Sequence, residues 1–513
     1  MARSPRTVQF LIILFVTFGS ITYGYCASII ATTLAQPSFV SYFSLDKRPN
    51  TTQLEGAING LFQTGGLFGA LSCSQTADLF GRRKALFIGG ACALVGGALQ
   101  AGSVHIAMFI VARLLAGLGS GALVTLVPLY QSEIAPPAIR GLLVGTHGVV
   151  IVIGYITASW IGFGFYFVNA SGAQWRIPLA IQCLPPLALI SGVMFVPESP
   201  RWLILRDRID EAYIAYTSTR AEITDTNNAD ETRSQFNLMH SQILHEKQNA
   251  ITWKDMFTHP TLRFRCFLGF ITLFACQATG TQVINNYGPL LYKRLGYDTV
   301  LQLLIQSCWI TVCPLGNVFN ALVVDRIGRV RLLIFGFTGT TIALIGECIT
   351  VSIFQRTQDT KVASAAVFFL FFHIGCYGVS LDATSYIYAS EIFPTPARAK
   401  GLAISLSGLF SACIIFLSAA PTAFTAVGWK YYLVFVIFTA IMIVIVYLYF
   451  PETSKKTLEE LGAVFGDTVE GLTKETEDDI YRRLGHHKDH HPDAVANEEK
   501  EMYKHDVDHV ERF

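Results

Sequence analysis

Asp382 sits in the phrase GVSLDATSYIYASEIF, nine residues before Glu391, inside a stretch apolar enough to cross a membrane. On a helix that spacing sets its carboxylate about 13 Å deeper than Glu391. An ionisable group at that depth is costly in lipid and reads as functional. Three roles are open to it: holding a solute hydroxyl, exchanging a proton, or pairing across the bundle with Arg113 of an earlier apolar run. Tyr386 follows one helical turn later on the same face. A second cluster lies in CQATGTQVINNYGP. Gln277, Thr281 and Asn285 would share one helical stripe, with Gln282 and Asn286 on the next and Tyr287 beside them. Amides donate and accept at once, which suits a hydroxyl-rich ligand. The competing reading of these residues is hydrogen-bonded glue between helices. Gly288-Pro289 allows a break in this helix. His147, in a further apolar run, supports the set.

Other chemistries find no residues. There is no nucleophile-and-base arrangement, so an enzyme is not expected. No Gly-x-x-x-x-Gly-Lys-Ser/Thr loop occurs, so nucleotide-driven pumping lacks support. The 11 cysteines include no Cys-x-x-Cys and read as small core residues, with neither metal nor cofactor expected. The HHKDHH run at 486–491 reads as part of a solvated tail. Net charge is +1, which gives no reason to expect nucleic acid.

The elements that position these residues are membrane helices. The chain is 52% hydrophobic and 15% charged, where a soluble protein carries about 25% charged residues. Apolar stretches near the roughly 20 residues a span needs recur at 9–34, 56–77, 84–104, 106–130, 142–167 and 178–197. A second set follows at 264–292, 299–323, 331–354, 363–389, 400–421 and 431–450. The expected fold is all-α, with twelve transmembrane helices. It divides into a first six-helix half at 1–197, a polar linker at 198–262, a second half at 263–450 and a polar tail at 451–513. The first apolar run is too long for a signal peptide and no clear cleavage site follows it. Arg82, Arg83, Lys84, Arg140, Arg326, Arg329, Arg331, Arg398 and Lys400 fall on one side, which the positive-inside rule makes cytoplasmic, together with both termini. Asn50 and Asn169 open glycosylation sequons in loops expected on the other side.

Three phrases occur twice in the same order, roughly 250 residues apart. ADLFGRRKALFI (77–88) returns as VDRIGRVRLLIF (324–335), SEIAPPAIRG (132–141) as SEIFPTPARAKG (390–401), and PESPRW (197–202) as PETSKK (451–456). Near-constant offsets in a preserved order mark a duplicated six-helix unit, with a site between the halves near mid-membrane. Charged residues there can pair within and between halves, hold one side shut and release as the halves rock. The bland alternative is that they only stop helices at the lipid interface.

With these phrases the chain resembles the major facilitator superfamily and, within it, the sugar porter family, over about residues 10–460. PLYQSEIAPPAIRG, PESPRWL, DRIGR, SEIFPTPARAKG and PETSKKTLEEL carry the resemblance together. It implies two pseudo-symmetric halves, alternating access, and movement of a sugar or similar polyol, with a small solute and the bilayer as partners and proton coupling left open. The plasma membrane is the expected location; the oligomeric state stays open, with a monomer as the working expectation. The family's cytoplasmic gate maps onto Asp78, Arg82, Arg83, Glu133, Arg140, Glu198 and Arg201, then Asp325, Arg329, Glu391, Arg398 and Glu452. Val330 stands where a second arginine is usual. Cys26 stands where proton-coupled members carry aspartate next to the arginine that is Arg113 here, which favours facilitated transport. Gly148, Leu409 and Phe410 replace usual polar contacts, and Tyr386 replaces a tryptophan. These changes leave room for a larger sugar, a sugar acid, a polyol or a secondary metabolite, imported or exported. A non-transporting nutrient receptor is a further alternative, weakened by a short tail.

Overall fold

The computed structural model describes residues 5–135, 140–168, 170, 172–219, 226–248, 251–394, 396–454, 456 and 458–465. Eleven helical segments among them are long and apolar enough to span a membrane. They are α1 (Phe10–Ala35), then α3 (Arg82–Ala101), α4 (Ile106–Ile134), α5 (Arg140–Tyr166), α6 (Ala173–Phe195), α7 (Pro260–Arg294), α8 (Thr299–Ile327), α9 (Arg329–Thr357), α10 (Thr360–Glu391), α11 (Arg398–Ala426) and α12 (Gly428–Tyr449). The twelfth is α2 (Thr51–Phe80), about 45 Å long by its rise per residue. Gln53, Glu55, Asn59, Gln63 and five glycines make it more polar than its neighbours. Those glycines serve close packing. A Cβ on Gly65 or Gly69 would run into the α4 backbone at Leu114 and Leu118, and one on Gly117 or Gly121 into α2 at Phe62 and Gly66. Small residues let helix backbones meet where no hydrophobic force drives them together.

Between α6 and α7 the linker folds into short helices over Pro200–Leu205, Ile209–Thr219, Thr226–Gln248 and Trp253–Thr258. Trp202, Ile204, Ala212, Tyr216 and Phe236 give it an apolar cluster of its own. A capping box between Thr252 and Asp255 starts its last helix. Residues from Lys456 on form a separate unit, in which Leu458–Phe465 is helical. The histidine run at 486–491 and Asn169 lie outside the described residues. Asn50 is exposed, just ahead of α2.

Two helices break where the site lies. The α7 helix is interrupted at residues 278–280, between Pro260–Gln277 and Thr281–Arg294, and not at Gly288-Pro289, where the sequence allows a break. Gly280 takes φ +81°, a left-handed conformation that only glycine adopts freely. The His373 ring donates from Nε2 to the Thr279 carbonyl at 3.1 Å, satisfying backbone that the break exposes. Pro289 stays inside the helix because its cost is met from outside. It has no N–H for the Asn285 carbonyl, and Gln306 Nε2 from α8 donates there instead at 2.9 Å. The break also means that Gln277 and Thr281 belong to different helical pieces, so the continuous polar stripe expected through them does not form. The second irregularity is a π-helical turn over Tyr377–Leu381 in α10, immediately before Asp382. Such turns widen a helix locally and re-aim its side chains.

Candidate functional site

The duplicated phrases build two matching turns. Gly81 and Gly328 take φ +90° and +97°, ahead of α3 and α9. A carboxylate from a distant phrase closes each turn. Glu198 Oε1 accepts from the Arg82 N–H at 2.9 Å, and Glu452 Oε1 from the Arg329 N–H at 2.8 Å. A Cβ on either glycine would lie 2.5 or 2.6 Å from that carboxylate, so the turn needs glycine for space as well as for φ. An anion here also meets the positive end of the helix dipole. Burial raises the Glu198 pKa, and backbone N–H groups of Ser199, Arg83 and Arg82 counter it. At Val330 the backbone N–H donates to Glu452 Oε2 at 3.1 Å, so this part of the turn survives without an arginine there.

Each turn then anchors a forked ion pair. Arg82 reaches Glu133 through Nε and Nη2, both at 2.9 Å, and Asp78 at 3.2 Å. Arg329 reaches Glu391 at 3.1 and 2.9 Å and Asp325 at 2.8 Å. Planar two-point pairing is the strong form of an Arg–carboxylate contact. Each of these pairs joins residues of one half. Arg83 donates to the Met194 carbonyl, again within its half. Arg201 lies at the start of the linker, Arg398 at the start of α11, half-buried, and the Arg140 side chain is outside the described set.

Hydrogen bonds between the halves cluster at the other end. Glu55, where the Tyr287 hydroxyl meets a backbone carbonyl at 3.2 Å, is about 35 Å along α2 from Asp78. Ser159 of α5 meets Ser307 of α8 at 3.1 Å, and Trp160 donates to Thr311 at 3.1 Å. Gly56 faces the Ser418 carbonyl of α11 so closely that a Cβ would not fit.

Between these ends lies a polar centre drawn from both halves. Asp382 is half-buried; its Oδ2 accepts from Asn317 Nδ2 at 2.8 Å and from Cys313 Sγ at 3.5 Å. The Tyr377 hydroxyl is within reach of the same carboxylate. Tyr386 is 39% exposed, yet it stands near Tyr23, Asp382, Cys276 and Cys413. A phenol exposed to solvent but surrounded by inward-facing residues lines an opening inside the bundle. Tyr155 of α5 and Gln282 of α7 are half-buried and within hydrogen-bonding reach across the halves. His147, also half-buried, meets Ser20 Oγ at 2.8 Å through Nδ1. Gln277 is buried, with its Oε1 unpartnered.

Other sequence candidates turn elsewhere. Asn285 is buried against Gln306, and Asn286 donates back to the Gln282 carbonyl at 2.9 Å. Tyr287 bonds the Glu55 and Leu417 carbonyls. Arg113 is fully buried far from any ion pair with Asp382. It donates to the Cys26 and Ile58 carbonyls at 2.8 and 3.3 Å and lies 4.0 Å over the Phe62 ring. Tyr23, Tyr155, Tyr377 and Asn317 were not singled out from sequence. A polar head inside an apolar span was the available signal, but tyrosine is common enough in spans to hide it.

Twelve membrane-spanning helices among the described residues, two matched charged turns and a polar centre shared by both halves are the architecture of a membrane transporter of the major facilitator type. A family model described as sugar (and other) transporter matches residues 12–465, and the chain belongs to that family. It is 34% identical over 447 residues to the MFS-type transporter criB of Aspergillus cristatus, covering 87% of this chain and 90% of that one. It is 30% identical over 473 residues to the quinate permease of Neurospora africana, covering 88% and 87%. The inward-open conformation of the xylose transporter XylE from E. coli matches with a TM-score of 0.73 at 22% identity, over 89% of this chain and 99% of that one, which supports the fold.

Proposed function

We propose that this transporter carries a sugar or related polyhydroxylated solute by alternating access, down its own gradient. The observation that carries the reading is the half-exposed set Tyr155, His147, Gln282, Asp382 and Tyr386, contributed by both halves. A solute there would touch both bodies and sense their relative motion. Phenols, amides and a carboxylate can each exchange hydrogen bonds with hydroxyl groups. The family description, which names sugars among its cargo, agrees. Gln277 offers a further acceptor at the α7 break, with Asn285, Asn286 and Tyr287 shaping the helix around it.

Facilitated movement follows from Arg113. Cys26 lies beside it and its partners are the Cys26 and Ile58 carbonyls, so no carboxylate stands next to it to take up and release a proton. The two charged turns brace each half so that it rocks as one body, and they face the cytoplasm with both termini. The bundle is then closed toward the outside, at Glu55, Tyr287 and Ser418. The plasma membrane is the proposed location, and the monomer the proposed working unit.

The test is uptake of labelled hexoses, pentoses, disaccharides, polyols and sugar acids in yeast lacking its own sugar carriers, with and without a protonophore. Uptake to equilibrium, unmoved by the protonophore, supports the reading. Accumulation that the protonophore abolishes would replace it with symport. No uptake of any solute, with the protein at the cell surface, would favour a receptor.

A further inference from the structure

We propose that Asp382 sets the charge specificity of the central opening: uncharged and cationic solutes are admitted, and solutes bearing a carboxylate are refused. This deepens the carrier reading and rests on it for the cargo. The argument is a census of charge. Only three Asp, Glu, Lys or Arg residues lie in the middle of the apolar runs, away from their ends: Arg113, Glu347 and Asp382. Arg113 is fully buried on the Cys26 and Ile58 carbonyls and beneath the Phe62 ring. Glu347 of α9 is also buried, 1% exposed, near Tyr292 and Tyr432. Of these three, Asp382 alone is partly exposed.

Among the described residues, the side chains that face Asp382 carry no compensating charge. From α8 come Asn317 and Cys313; from α10, Tyr377 and Tyr386; from α7, Cys276; from α1, Tyr23. Among the described residues no lysine or arginine makes an ion pair with it. His147 is engaged by Ser20 on the opposite half. One amide and one thiol donate to Oδ2, an arrangement that orients a carboxylate without neutralising it. A solute carboxylate about 6 Å away would meet like charge with no counterion, a penalty of about a hundredfold at an effective permittivity near 20. A site that refuses a ligand by an unpaired like charge is discriminating by repulsion.

The test reads the charge directly, without knowing the cargo. In the full-length protein, Tyr386→Cys is labelled with a cationic and an anionic methanethiosulfonate of similar size, and modification at that position is quantified by mass spectrometry. The cation-to-anion rate ratio is compared with and without Asp382→Asn in the same background. The expected result is a ratio that falls by about tenfold or more in Asp382→Asn. An unchanged ratio overturns the proposal, because Asp382 would then carry no charge the opening can sense. If Tyr386→Cys disturbs the fold, Gln282→Cys is the second position for the same comparison. In the uptake panel, a matched pair such as glucitol and gluconate reads the consequence: gluconate uptake equal to glucitol uptake in the unmodified carrier also overturns it. Failure of the whole panel sinks the cargo reading alone, since the labelling ratio still judges the charge.

Discussion

Glu133→Gln and Glu391→Gln remove equivalent carboxylates from the two charged turns, and the structure predicts unequal results. The Arg82 and Glu133 side chains are each only 6% exposed, whereas Arg329 is 10% exposed and Glu391 28%. Breaking a buried pair from one side leaves an uncompensated charge, which costs about 3–5 kcal/mol. Arg82 keeps Asp78, but that partner is 67% exposed and offsets at most about 1 kcal/mol. A loss of about 3 kcal/mol is therefore expected for Glu133→Gln. Water can still reach Glu391, so about 1–2 kcal/mol is expected for Glu391→Gln. Both pairs sit within one half and ride with it, so they contribute alike to the inward- and outward-facing states. An interaction shifts a conformational equilibrium only by the difference it makes between two states. The loss should thus appear in equilibrium unfolding by SDS in mixed micelles. Cysteine labelling at the two ends of the bundle should change little. Equal destabilisation by the two variants would refute the burial argument. A tenfold shift in labelling with unchanged stability would refute the bracing argument and favour pairing across the halves.

Three further outcomes are expected. Tyr287→Phe loses the one O–H proton shared between the Glu55 carbonyl of the other half and the Leu417 carbonyl of its own; at up to about 1 kcal/mol across the halves, labelling at the Glu55 end should rise by up to about fivefold. Gly56→Leu places a side chain against the Ser418 carbonyl, so the closure at that end should fail and uptake should stop while the protein still reaches the membrane. Cys26→Asp sets a carboxylate near Arg113, whose Nη2 is buried and unpartnered. Uptake should become pH-dependent in Cys26→Asp and remain pH-independent in the paired variant Cys26→Asp/Arg113→Met.

The fold was legible in the sequence because lipid imposes one strong rule, a run of apolar residues long enough to span, and because the duplicated phrases mark corresponding points in the halves. The charged turns were legible for a related reason: glycine, arginine and glutamate stand out in an apolar chain. Their detailed pairing was not. That Glu198 and Glu452 bind backbone N–H groups, and that Glu133 and Glu391 take the guanidinium forks, depends on how distant helices meet. Helix breaks were harder still. Gly288-Pro289 is the stronger local breaker, yet Gln306 on α8 supplies the hydrogen bond that Pro289 cannot. The actual break at Gly280 depends on His373 on α10. The π-helical turn before Asp382 leaves no local signature at all. In the centre, Asp382, Gln282 and Tyr386 stood out in sequence, while Tyr23 and Tyr155 became visible only once α1 and α5 were packed against the other half.

The central claim is that a polar opening shared by both halves carries an uncharged polyhydroxylated solute without a driving ion. Counterflow in proteoliposomes of the purified protein tests it most directly, using labelled hexoses and polyols with no proton gradient. The account predicts saturable exchange of at least one such solute, lost in Gln282→Ala. Exchange that requires a proton gradient, or none at all from protein shown to be folded, would contradict it.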